Sequence, residues 1–393
     1  MATLTRNALL EIEREKDFTP EEAVAFLHKR ENFMSMSVGL KRELHKREDC
    51  PADEKQLLPY FKEVLKSAGF TKDQRKNADV WLIQGKLPTP HYAIRLCFAF
   101  GLTGQDALTF LWNCCKVNGF NFRRAEDVVY CYCLENGKSY DDAKTIIKRY
   151  NQQTADLTFE IGDATKRTQT LRRVFHSLTG TDETAFFDKL CLNKKNFIGY
   201  SRTANEQYVQ LHERLIATIQ ADIDSFNSET HSGRINKDAY KAIKMEGYNG
   251  NAKVYPEIVY ALSKIAITKG VTDKVAAGLF DNFPRTEYLN EMLSTMEAAT
   301  DKEHDKSRKV FMLLYFAEYA IYPPSDEFFG DFVIALNTAL DSCGYAKLYP
   351  ANPYDWLILN CVRSIDFVPY ADDNADALNP IECFNEVLLM LVN

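Results

Sequence analysis

Apolar residues recur along the chain at helical spacing. Phe61, Val64, Leu65 and Ala68 follow i, i+3, i+4, i+7, and Leu211, Leu215, Ile219 and Ile223 mark a second face of the same kind. The pattern predicts an all-α, multi-helix protein. Punctuation between the helices repeats weakly. Gly-x-Ser/Thr-x-x-x-Ala occurs from Gly101 to Ala107, from Gly137 to Ala143 and from Gly270 to Ala276. The glycine suits the left-handed residue that ends one helix, and the hydroxyl two residues later can accept from amides that open the next. Thr103 with Asp106 and Ser139 with Asp142 place an acid three residues after the hydroxyl, and Thr19 with Glu22 has the stricter capping-box pattern. Copies this few and irregular predict ordinary helix caps rather than a solenoid array.

A length of 393 residues suggests two or three domains. Polar breaks at His45–Pro51, at Asn151–Thr154 and at Ser228–Gly233 suggest four sections along the chain. These are N-terminal amphipathic helices (1–55), a module with a following helix pair (56–150), a linker and helical hairpin (151–230), and a C-terminal helical domain (231–393). Further interruptions fall at Asn282–Pro284 and Tyr322–Pro324. Pro350 and Pro353 enforce extended geometry before an apolar helix from Asp355 to about Val362, expected to dock the C-terminus onto the core.

Composition narrows the function classes. Seventeen Gly and 13 Pro make about 8% of the chain, below the usual ~12%, which disfavours a turn-rich β design. The formal charge of −7 gives no whole-chain attraction to nucleic acid or acidic lipid, so any such binding needs a local patch. The longest apolar run, Val310 to Ala317, is far short of a membrane span, and Glu11, Glu13 and Glu15 follow the N-terminus without a signal-type apolar region. The expectation is a cytoplasmic protein without a membrane partner.

One segment carries a resemblance. An amphipathic helix, Leu58 to Ala68, is followed by Gly69-Phe70-Thr71, then by Gly85-Lys86, Pro88 and Pro90, and by a helix closing on Phe100-Gly101-Leu102. This order, across about residues 57–111, resembles the lambda-repressor and Cro-like helix-turn-helix family. Asn193–Ser201 and Asn352–Trp356 are similar to segments of helical Firmicutes proteins that carry such modules. The resemblance implies binding of double-stranded DNA by a transcriptional regulator whose helical body serves dimerisation or sensing. It departs from the family in one respect. Gly85 follows Thr71 by 14 positions, roughly two helical turns fewer than a second helix, a turn and a recognition helix require. Lys72, Gln74, Arg75, Lys76 and Asn77 stand there instead, with Lys86 at the following turn. These types reach phosphates, and Gln74 or Asn77 could read adenine. From Pro59 to Arg95 there are seven Lys or Arg against three Asp or Glu, a local excess of +4. The competing expectation is a helical protein-interaction scaffold in which the shortened module no longer binds DNA and apolar helix faces receive a partner or a second copy.

Signatures of chemistry are weak by comparison. Ten cysteines in a chain without an export signal read as small buried hydrophobes, and neither Cys114-Cys115 nor Cys131-x-Cys133 has zinc spacing. No two of the seven histidines share a ten-residue window. Gly137-Lys138-Ser139 has Tyr132 where a P-loop opens with glycine, and Asn193–Ser201 reads as a loop capping two helices or as a basic-aromatic surface. Asp301–Asp305 and Asp372–Asp376 read as polar loops, the second lacking the glycine and closing glutamate of a calcium loop. The sequence therefore predicts no enzyme, cofactor or metal, with an enzyme of dispersed site ranked behind the regulator and the scaffold.

Overall fold

The computed structural model describes residues 18–155, 168–197, 203–214, 308–321, 328–363 and 380–392, apart from isolated positions within them. Among these residues every regular element is a helix, and the protein is all-α. The expected Leu215–Ile223 face, the Gly270 repeat, the breaks at 228–233, 282–284 and 322–324, the acidic runs at 301–305 and 372–376, and Ile198–Ser201 lie outside the described residues. Helix α1 (Pro20–His28) opens as its sequence predicts. Thr19 Oγ1 accepts from the Glu22 amide, Glu22 returns a carboxylate oxygen to the Thr19 amide at 3.0 Å, and Pro20 takes the first helical position.

Two compact units divide the chain, one of Met34–Thr203 with Leu340–Lys347, the other of Met1–Phe33, Ala204–Ala339 and Leu348–Asn393. The polar breaks at residues 45–51 and 151–154 fall inside the first unit, because the helices on either side of each share one core.

That first unit contains α2 (Met36–His45), α3 (Glu54–Ser67), α4 (Asn77–Leu82) and α5 (Pro90–Phe100). It continues with α6 (Gly104–Asn113), α7 (Ala125–Glu135), α8 (Tyr140–Gln153), α9 (Thr168–His176) and α10 (Glu183–Leu192). Phe61, Val64 and Leu65 of α3 point into the core as their spacing predicts. Gly69, Gly101 and Gly137 each take positive φ after a helix, and the next residue's amide bonds five residues back, as in Phe70 N to Leu65 O at 3.0 Å. Ser139 then caps α8 in a full capping box with Asp142, whereas Thr103 opens α6 without a side-chain cap bond. Helix α2 lies so close to Cys114 that a Cβ added at Gly39 would sit 2.2 Å from the Cys114 sulfur. The cysteines at 97, 114, 115, 131 and 133 are buried core, and burial pushes the Cys114, Cys131 and Cys133 thiols up to about 12.

The second unit holds α1, α11 (Arg308–Ile321), α12 (Phe328–Cys343) up to Ala339, α13 (Pro353–Arg363) and α14 (Pro380–Val392). Pro353 starts α13 after an Asn352 cap, and Tyr354 to Val362 are all buried, as expected of the C-terminal apolar helix. Trp356 stacks on Phe26 at 4.5 Å, with Phe18 and Phe33 set edge-on around it, which seats α1 on α13. Arg308 meets Asp355 through two parallel bonds of 2.8 Å, and both side chains are almost wholly buried. Asp355 also accepts from the Tyr349 amide at 2.9 Å, so the carboxylate holds the loop before α13 as well. Losing one partner strands the other charge in the interior. Asp355→Ala should therefore cost about 3–5 kcal/mol in urea denaturation, while Arg308→Met with Asp355→Leu should recover most of that loss.

Candidate functional site

The segment with the regulator resemblance begins at the αL residue Gly69 and ends at Gly85, which also has positive φ. Between them Gln74–Lys76 form a single 3₁₀ turn that runs directly into the six-residue α4. Its start is itself a capping box. Thr71 Oγ1 accepts from the Gln74 amide at 3.4 Å, and Gln74 Oε1 accepts from the Thr71 amide at 3.0 Å. The same Gln74 oxygen also accepts from Arg95 Nη1 at 3.0 Å, while Arg95 Nη2 donates to the Gly69 carbonyl at 3.2 Å. Arg95 is only 7% exposed and lies 3.9 Å above the Phe70 ring and 4.9 Å from that of Tyr140. Phe70, Trp81 and Tyr92 close the aromatic wall beside it. The inner face of α4, Ala78, Trp81 and Leu82, is buried, and the Ser37 hydroxyl of α2 donates to the Leu82 carbonyl.

The six residues expected to contact DNA therefore have different surroundings. Lys72 and Lys86 are exposed and carry no ion pair among the described residues. Lys76 is exposed and pairs with Asp73 at 2.8 Å. Gln74 is half-buried with its amide oxygen doubly engaged, Arg75 is half-buried with its Nε enclosed, and Asn77 is half-buried at the start of α4. The local charge excess shrinks in the fold. Glu63, Asp73 and Asp79 each bind a lysine, at Lys66, Lys76 and Lys62, and Arg95 is interior. Exposed positive charge without a partner reduces to Lys72 and Lys86, with Arg75 partly withdrawn.

Three exposed apolar residues, Val38 (50% exposed), Ile83 (65%) and Leu87 (37%), lie within two residues in sequence of Ser37, Leu82 and Gly85, which meet where α2 approaches the end of α4. A second surface feature is a groove of about 530 Å³ on α7 and α8, lined by Tyr130, Lys144, Ile147, Lys148, Asn151 and Gln152 together with Ala155. Neither feature has a sequence motif. Exposure of an isoleucine or opening of a groove depends on where neighbouring helices end, which residue spacing does not encode.

Among the described residues no group of three or more His, Cys, Asp or Glu is placed to hold a metal, and no helix is long and apolar enough to cross a membrane. Cys50 and His45 do meet, Sγ to Nδ1 at 3.5 Å. A nucleophilic thiol needs a lowered pKa, but burial and then Asp49 push that of Cys50 up. Asn193–Phe197 form a packed connection built on a 3₁₀ turn at Lys194–Asn196. The Asn196 carbonyl accepts from the fully buried Arg123 at 3.1 Å, and Phe197 sits against Tyr150 and Phe175. Comparisons with protein families, with curated proteins and with solved structures return no match.

Two outcomes follow from the Arg95 network. Gln74→Ala removes an acceptor from a buried cation and should destabilise the protein by about 1.5–3 kcal/mol, whereas Lys72→Ala should stay within about 0.5 kcal/mol in the same denaturation assay. His91, 3.4 Å from the Tyr140 hydroxyl, has its pKa lowered below 6.5, by burial first and then by Arg95. The folded state thus binds fewer protons there than the unfolded one. The His91 contribution is complete above pH 6.5 and is lost as pH falls toward the folded pKa. A pH series of unfolding midpoints should decline on acidification, and less steeply in His91→Gln.

Proposed function

We propose that the unit containing α2 to α10 is a protein-docking module, in which a shortened helix-turn-helix-like segment serves as a rigid support and the edge of Val38, Ile83 and Leu87 receives a partner. The carrying observation is that apolar edge, exposed at the point where α2 and α4 lock together. Exposed apolar side chains on a rigid, preorganised support favour association because they bury area without first ordering a loop. Lys86, exposed and unpaired next to Leu87, favours an occupant with acidic residues beside its apolar ones, namely the apolar face of an amphipathic helix with acidic flanks.

The regulator reading is supported by a different observation, the exposed and unpaired Lys72 and Lys86. Such lysines suit phosphate, but the side chain best suited to adenine, Gln74, is engaged by Thr71 and Arg95.

One paired experiment separates the two readings. A photo-crosslinking amino acid placed at Ile83 in the producing cells should give a discrete protein adduct that weakens with Leu87→Asp, and the same probe at Lys72 should not. The Leu87→Asp protein should keep its stability within about 0.5 kcal/mol, since it alters a surface. In parallel, fluorescence anisotropy of the purified protein with mixed-sequence duplex DNA is measured across a salt series. Salt-sensitive binding that is lost when Lys72, Arg75 and Lys76 are all changed to Glu would favour the regulator, and absence of an Ile83 adduct would overturn the docking module.

A further inference from the structure

The groove on α7 and α8 combines three kinds of surface within one volume. Its floor includes Tyr130, one ring face of which stacks on Tyr140 at 5.8 Å and 10° while Phe98 meets it edge-on at 6.2 Å. Those neighbours hold the ring, and Tyr130 and Ile147 both line the groove. Lys144 and Lys148 are one helical turn apart on α8, and both line the groove. Lys144 is tied to Asp141 at 2.6 Å, but Lys148 is exposed and has no ion-pair partner among the described residues. Asn151 and Gln152, both exposed in the last turn of α8, add amide donors and acceptors. The acids nearest in sequence to Tyr130 are Glu126 and Asp127 on α7, and Asp127 already accepts from the Asn121 amide at 2.8 Å.

We infer that this groove binds a nucleotide unit, a planar heteroaromatic ring carrying a phosphate. The ring lies against Tyr130 and Ile147, the phosphate is held by Lys148 with Lys144, and Asn151 and Gln152 meet the polar edge of the ring. The groove is open to solvent, so the ligand lies along its surface with one side exposed. Aromatic stacking combined with a flanking cation is the recurrent way proteins hold an unpaired nucleotide, because every base offers a π-face and every nucleotide a phosphate. An inorganic anion alone would leave the Tyr130 surface uncovered. A neutral apolar ligand would leave the Lys148 ammonium unused. The same chemistry is available from a free mononucleotide or from one residue of a single strand. The inference is independent of the docking edge, which lies on other helices of the same unit.

The full-length protein is titrated with adenosine monophosphate, ribose 5-phosphate, inorganic phosphate and single-stranded oligoadenylate of five residues. Binding is followed by calorimetry and by saturation-transfer NMR on the adenine protons. Adenosine monophosphate should bind saturably, with saturation transfer strongest at the ring, and about tenfold or more tighter than ribose 5-phosphate or phosphate. Lys148→Glu, a surface change, should weaken it by about tenfold or more through charge reversal. Oligoadenylate binding tighter than the mononucleotide would identify a single strand as the source, and equal affinity would identify the free nucleotide. Circular dichroism of Lys148→Glu checks that the fold is intact, and Gln152→Ala supplies a second variant expected to weaken binding. No saturable binding of either adenine probe up to millimolar concentration, or affinity unchanged in both variants, would overturn the inference, as would ribose 5-phosphate binding as tightly as the nucleotide.

Discussion

A guanidinium cannot discharge its proton to escape burial, and the chain around Arg95 supplies acceptors to both terminal nitrogens while leaving its buried Nε without one. Gly69 offers a carbonyl because its positive φ ends α3 and turns that carbonyl free of the helix ladder, and Gln74 offers an amide oxygen because Thr71 holds it in a capping box. The aromatic wall of Phe70, Tyr92 and Tyr140 fills the remaining space around the cation. One side chain on α5 thereby fixes the end of α3, the 3₁₀ turn and the approach to α4. The remainder of the segment follows from that arrangement. With the turn anchored, the few residues left before Gly85 can form only the short α4, whose inner face completes the core against α2 and α3.

This constraint explains what could be read from the chain and what could not. The helices were legible from apolar spacing, and their ends from Gly-x-Ser/Thr punctuation. Both Thr19–Glu22 and Ser139–Asp142 form the reciprocal caps that their spacing predicts. The Thr71-x-x-Gln74 pattern carried the same signal. A helix-turn-helix resemblance drew attention to Gln74 as a base reader, although the capping spacing already placed its side chain on the backbone. Arg95 was less legible, since an arginine in an apolar helix gives no sign of where its acceptors lie. They are 21 and 26 residues away in sequence. The two-unit division was also hidden, because polar stretches at 45–51 and 151–154 resemble linkers until the packing across them is seen. The edge of Val38, Ile83 and Leu87 and the Tyr130 groove arise from tertiary placement alone.

The two surfaces differ in character. The side of the shortened segment is rigid, and much of its charge is neutralised by its own acids, which suits recognition by shape and apolar contact. The α8 side keeps an unpaired lysine beside an aromatic ring and amides, which suits a small or extended anion.

Amide hydrogen exchange across Thr71–Ile83 tests most directly whether this segment is a locked support. If Arg95 holds it as described, the hydrogen-bonded amides Arg75, Lys76 and Ile83 exchange about as slowly as those of α3 and α5 and rise together with them as denaturant is added. Exchange in this segment that is faster by orders of magnitude, with α3 and α5 still protected, would contradict a locked support and would describe a segment free to rearrange on another surface.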